Sequence, residues 1–416
     1  MPTPAYTIKY VIPNLHNIST LISPLLPSKR SLTMQFLPLR SLLFEPLNFL
    51  LSFTPLSRFL PKKDHFAPHP NAPFEGYYTR ILTTTGSTIL LIFSSVFSAI
   101  DRPHYVHFSL LPRNGSSQHR IVVDKFPKIT DANGHKFPNS IHEFSRVAKG
   151  DGVEGTYRIC RDEQRYRLEL DTVEHGKLEV SIDLTDRKAW IPDDDVSTPE
   201  GVFSKLIFLL PLHWNVFSTA SSASYSITAN GQPLESGTGI AHIEKNWGIS
   251  FPRGWTWIQG FSGSPVTGEA RHKARSFVMA GGKILGQKAF LLGYRSENIE
   301  WSFGPPFTLM PFCFQTPLMK EAFDSKRGVA RYEVGALWKK LVVEVQAPSD
   351  HEGWLGLHCP LADGHVNTYA YESFDGSVRV KAYERACSLE WELVEETILD
   401  GAAVEFGGDY SFKVSK

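Results

Sequence analysis

Alternation of apolar and polar side chains is the dominant pattern along this chain. Over residues 166–172, Tyr166, Leu168 and Leu170 interleave with Arg167, Glu169 and Asp171, which predicts a strand with one dry and one wet face. Residues 155–160 and 177–184 carry the same period, and Glu174-His175-Gly176 supplies a turn between strands. Residues 276–281, 283–294, 329–333, 340–346, 377–384 and 388–395 read as further strands, with Gly281-Gly282 as a hairpin turn. The run over 88–99 is different: it is continuously β-branched and aromatic, as expected of a strand buried on both faces. Residues 105–111 continue it after a turn at Asp101-Arg102-Pro103, where proline fits the turn but not the ladder. No βαβ alternation and no fixed repeat period occur, so the expected fold class is all-β, built as barrels or sandwiches. The small, polar stretch 218–226 reads as a linker, while the apolar stretch 203–215, with Pro211 inside it, fits no element clearly.

Length and composition sharpen this. With 416 residues the natural expectation is two domains with an appended segment, divided here as 1–64, 65–230 and 231–416. Aromatic residues make up 12% while Met numbers only 5, and 31 Gly and 28 Pro accompany them; that is the balance of strands and turns. Lys+Arg and Asp+Glu are equal at 43 each, so bulk charge gives no reason to expect a nucleic-acid partner. Cys160, Cys313, Cys359 and Cys387 lack the short spacings of a zinc site or a disulfide scaffold and read as free thiols in a reducing compartment. No P-loop, nucleophile elbow, metalloprotease helix motif or dinucleotide fingerprint is present, and neither metal nor redox cofactor is indicated.

The first sixty residues differ from the rest. Lys9, Lys29, Arg30, Arg40 and Arg58 stand against one acid, Glu45, in a background of Ser, Thr, Leu and Pro, which reads as a leader directing the chain to a mitochondrion or other organelle. Residues 36–60 fit a peripheral membrane contact better than a crossing, because Pro38, Glu45, Pro46 and Pro55 interrupt the apolar run. A disordered extension of an otherwise cytoplasmic protein is the alternative. Asn17 and Asn114 stand in glycosylation acceptor patterns short enough to arise by chance.

Two stretches are distinctive. His69-Pro70-Asn71-Ala72-Pro73-Phe74-Glu75-Gly76-Tyr77-Tyr78 is one; the other is Glu244-Lys245-Asn246-Trp247-Gly248 followed by Phe251-Pro252, Trp255, Trp257 and Gln259. Both resemble the tocopherol cyclase family, the second at every position of its signature, and Pro360–His365, Glu372-Ser373 and Glu405-Phe406-Gly407-Gly408 extend the resemblance towards the end of the chain. Tyr77-Tyr78 departs from the Trp-Tyr commoner in the plant enzymes, and residues 111–205 show no alignable likeness. The resemblance implies two lipocalin-like antiparallel barrels packed together, as in carotenoid hydratase-like proteins and fungal lipocalin-like survival factors. It also implies an apolar, prenyl-lipid-like small molecule as partner.

The residues of these motifs have a chemistry of their own. If 255–261 is a strand, Trp255, Trp257, Gln259 and Phe261 share one face and either line an apolar pocket with one orienting amide or fill a core between barrels. His242, Glu244 and Asn246 then lie on one side of their strand, with Lys245 and Trp247 on the other. A glutamate in an apolar cavity holds a proton at neutral pH, so Glu244 is the first candidate acid for protonating an alkene inside a barrel cavity; the structural alternative is an ion pair holding two barrels in register. Trp247 or Trp257 would stabilise the resulting cation. Glu75 with His69 is the second candidate acid pair, Gly76 beside it allowing close approach, and Asn246 and Tyr77 are expected to contact the ligand. His213 reads as a core histidine before it reads as a base. A cofactor-independent cyclase acting on a prenylated quinol is the leading expectation; an isoprenoid hydratase and a non-catalytic lipid carrier compete with it.

Overall fold

The computed structural model describes residues 66–413 apart from 114–118, 133–142, 161, 193, 195–196, 206–209, 263–274, 285 and 386–389. The basic leader, the segment 36–60, both glycosylation acceptors and Cys387 lie outside the described residues. Of the remaining cysteines, Cys359 is buried and Cys160 and Cys313 are partly exposed; all three are free thiols.

Two antiparallel sheets of eleven strands each carry the fold, and among the described residues there is no α-helix. In the first sheet every strand pairs with its neighbour in the chain, with two exceptions. The first strand, Phe74–Thr83, also pairs with the last, Gln232–Gly248, setting Tyr78 opposite Glu244. Ile121–Lys125 and Lys128–Asp131 do not pair, which leaves the rolled sheet open along one seam. The second sheet repeats the plan: its first strand, Gly254–Ser262, pairs with its last, Glu392–Gly408. The expectation of two lipocalin-like β-barrels thus describes the architecture.

Alternation sorts the side chains into three layers. From Phe74–Thr83, Tyr77 and Ile81 point into the core wrapped by the first sheet, beside Tyr157 and Tyr166, whose rings stack at 4.5 Å. The second sheet wraps its own core around Met279, Phe290 and Tyr332. The outer faces then meet: Leu90, Trp214 and Val216 of one sheet pack against Trp255, Trp257 and Val278 of the other. Strands at this junction are buried on both faces, which is why Thr88–Val96 reads TILLIFSSV without alternation. Removing each such side chain from water contributes about 1.5–3 kcal/mol.

Three local expectations are corrected. Residues 218–226 form no linker but the middle of the strand Leu212–Ala229, bent by bulges between Val216 and Ser221. Small hydroxyls suit that bend, since Ser218 accepts the Lys188 backbone N–H at 3.0 Å and the Ser221 hydroxyl at 2.8 Å. Asn230-Gly231, the expected division between the barrels, is a two-residue hairpin turn with both φ values positive, 51° and 75°. The chain passes between sheets after Gly248 instead. Gly281 and Gly282 lie inside the strand Arg275–Ile284, and the reversal comes at Gly286, with φ of 78°. A Cβ on Gly281 would meet the Phe290 ring at 2.2 Å and one on Gly282 the Gly254 carbonyl at 2.2 Å, so these glycines permit close packing.

Candidate active site

The register of the two closing ladders brings two rows of side chains face to face. On the first sheet Ile92, Tyr78, Glu244 and Val216 stand in line across four strands. On the second, Ala280, Trp257, Glu405, Glu372 and Leu355 do the same across five. Hydrogen bonds tie the rows together: the Trp257 indole N–H donates to Glu244 Oε2 at 3.0 Å, and the Tyr78 hydroxyl donates to Glu372 Oε1 at 2.6 Å. Tyr78 and Trp257 also meet edge to face at 5.0 Å.

Between these faces lies a cavity of about 410 Å³, a size in the usual range of small-molecule pockets. Tyr78, Trp214 and Glu244 form part of its wall on one side, and Trp255, Trp257 and Glu405 on the other. Both sheets line it jointly, which corrects the expectation of a cavity inside one barrel.

The electrostatics of this wall are unbalanced. Glu372 is fully buried, and its burial together with the neighbouring Glu405 raises its carboxyl well above the ordinary carboxylate range. Glu405 is less tightly enclosed because it borders the cavity, yet removal from bulk water pushes it up to about 7; the Trp255 indole N–H it accepts opposes this and the neighbouring Glu244 reinforces it. Glu244 accepts from Trp257 and sits 2.8 Å from His242 Nε2. Arg80 is the cation facing this group, itself fully buried and lowered to about 10 by burial, with Gln259 Oε1 and the Gly401 carbonyl as acceptors. A carboxylic acid on an apolar wall, protonated near neutrality and flanked by indole rings, has the make-up of a general acid for a carbon base.

The second candidate pair is a different device. Glu75 lies inside the first sheet, paired with Arg146 and with Lys245 Nζ at 3.0 Å, and it accepts the His69 backbone N–H at 2.8 Å. Burial alone would raise its carboxyl, but Lys245 and Arg146 outweigh that and hold it below the ordinary range. It is a locked carboxylate and not a proton donor. His69 belongs to the same knot: its Nδ1 is 2.7 Å from Lys245 Nζ and its ring stacks on Trp247 at 3.8 Å. His213 stacks on the other face of Trp247 at 4.1 Å and bonds Glu200 at 2.9 Å, as a core histidine does.

Of the residues singled out in the sequence, the cavity wall brings together Glu244, Asn246, Trp255 and Trp257. Trp247 faces away, between its two histidines. Tyr77 borders the cavity, but its ring packs against Phe66, Phe144 and Tyr157 in the first core. Gln259 and Phe261 share the face of the two tryptophans, as alternation requires, and close the junction around Arg80. Glu244 bridges the sheets through an indole rather than the expected ion pair. Glu405, Glu372, Tyr78 and Trp214 were not foreseen as functional. Each stands on a strand whose partner across the junction is remote in sequence; the resemblance around Glu372-Ser373 and 405–408 was the available signal.

The family model described as tocopherol cyclase-like matches residues 71–283. The chloroplastic tocopherol cyclase of Zea mays is 25% identical over 211 residues, which is 47% of this chain and 39% of that protein; the match thus spans about two fifths of that relative's length. Among solved structures, CghA superposes with a TM-score of 0.49 at 10% identity, covering 86% of this chain and 97% of that one. Kievitone hydratase from Nectria haematococca superposes with a TM-score of 0.42 at 11% identity, covering 86% and 96%.

Proposed function

Because the chain belongs to the tocopherol cyclase-like family, we propose that it closes a ring on a prenylated quinol or related terpenoid by protonating an isoprenoid double bond in the cavity between its sheets. Glu405 carries this reading, as a carboxyl on an apolar wall that burial pushes up to about 7, so that a large share holds a proton near neutrality. In the reaction the Glu405 O–H bond breaks as a C–H bond forms at the less substituted alkene carbon, leaving a tertiary cation and the Glu405 carboxylate. The faces of Trp257 and Trp255 stabilise the cation. The phenol oxygen then captures it, forming the C–O bond, and releases its proton to a base on the cavity wall. Substrate and product are isomers, so the sequence needs no co-reactant.

Turnover of a prenylated hydroquinone, followed by chromatography of the chromanol product, tests this. E405Q keeps an acceptor for the Trp255 N–H but lacks the acid, and its kcat is expected to fall by about 10²–10⁴. An unchanged kcat in E405Q would remove the carboxyl from the mechanism, and absence of any product from the wild-type protein would favour the lipid-carrier reading.

A further inference from the structure

One row further along the same strands, the cavity wall changes character. Ser94, Gly76, Asn246 and Trp214 stand in line across the first sheet, and all four border the cavity. Ser94 Oγ lies 2.9 Å from His365 Nε2 and 3.3 Å from the Glu75 carbonyl. His365, fully buried, has its Nδ1 3.0 Å from the Arg102 carbonyl oxygen. A carbonyl only accepts, so Nδ1 carries the hydrogen and Nε2 is left as a bare acceptor. The Ser94 hydroxyl hydrogen therefore goes to the nearer partner, Nε2, which leaves the lone pairs of Oγ as acceptors on the cavity wall. Gly76 keeps that approach open, because a Cβ there would stand 3.1 Å from Ser94 Oγ.

From this geometry we infer that the Ser94–His365 dyad forms the seat for a ligand hydroxyl, Ser94 receiving the phenol proton of the quinol and passing its own to His365. The inference rests on the reading of the cavity as the site of ring closure and supplies the base that reading leaves open. As the O–C bond forms, the phenol O–H bond breaks, a Ser94 O–H bond replaces it, and the former Ser94 proton forms the N–H bond on Nε2. Protons return from the imidazolium to the Glu405 carboxylate when product leaves, so atoms and charges balance. Burial holds the His365 imidazole down to about 4. That suffices, because a phenol oxygen bonded to a tertiary carbon carries a proton far more acidic than an imidazolium. Ser94 and Glu405 both border the cavity, which is where a seated head group and the acid would meet one ligand.

Binding of two inert probes separates this seat from the reaction: a hydroquinone bearing a saturated isoprenoid chain, and its ether methylated at the oxygen ortho to the chain. Calorimetric titration of wild type, S94A and G76A is expected to show the free hydroquinone weakened about ten-fold in both variants, while affinity for the ether stays within two-fold. S94A is also expected to lower kcat on the unsaturated hydroquinone. Equal loss for both probes, no loss for either, no binding of the hydroquinone by wild type, or an unchanged kcat in S94A would each overturn the seat. Discrimination by Ser94 without any turnover by the wild-type protein would sustain the seat and sink the ring-closing reading alone.

Discussion

Glu75 and Glu405 stand on the closing strands of two sheets built on one plan, yet their surroundings give them opposite characters. Glu75 faces the interior of the first sheet, where Arg146, Lys245 and the His69 N–H surround it, and it is held as a carboxylate. Glu405 faces the junction between the sheets, where Glu244 and Glu372 are its neighbours, and it keeps a proton to about 7. Removal from water acts on both carboxyls in the same direction, so the number of cations within reach decides which one is structural and which one is available for chemistry. The family motif that carries Glu75 thus builds a support. Its hydrogen-bonded knot fixes the strand that also presents Tyr78 and Gly76 to the cavity from its other face.

Breaking the knot should have the largest effect on folding. E75Q leaves Lys245 and Arg146 buried beside a neutral amide and is expected to cost about 3–5 kcal/mol, read as a lowered midpoint in urea. The sign of the pH dependence follows from the lowered carboxyl: the Glu75 contribution is present above the unfolded value of about 4.3 and is lost as pH falls through the folded value. Glu405 runs the other way. Its raised carboxyl makes the unfolded state the weaker proton binder between about 4.3 and 7, so stability falls as pH rises through that window and levels off above it. E405Q should therefore gain on wild type by up to about 3 kcal/mol between pH 4 and pH 8. The same titration predicts that kcat of the wild-type protein declines above pH 7. A smaller effect is expected for H69A, which removes one stacked ring from Trp247 and one hydrogen-bond partner from Lys245 at a cost of about 1.5–3 kcal/mol and leaves product formation by the surviving folded fraction unchanged.

Strand content was legible because period-two alternation is a local property, and Gln164–Thr172 and Gly176–Thr185 formed where the pattern placed them. The division between sheets was not, since small polar residues at 218–226 serve a bulged strand as readily as a linker. Gly281 and Gly282 misled for a related reason: glycine permits a turn and close packing alike, and Phe290 opposite decides between them. Within the site, alternation correctly put Glu244 and Asn246 on one face, and Trp255 and Trp257 on another. What it could not show was the balance of charge around each acid. Glu75 is paired by Arg146, 71 residues away, while Trp255 donates to Glu405 across 150 residues. Ionisation is set by such contacts through space, and a linear pattern does not contain them.

The protonation of the two glutamates is directly observable. Infrared spectra of the wild-type protein, E405Q and E75Q across pH 5 to 9 resolve the carboxylic C=O stretch of a protonated glutamate from the carboxylate band. At pH 6 the wild type is expected to show protonated-carboxyl intensity that E405Q lowers and E75Q retains; the part lost in E405Q fades as pH passes about 7, while the part contributed by Glu372 stays. A spectrum at pH 6 in which E405Q removes only carboxylate intensity would contradict it.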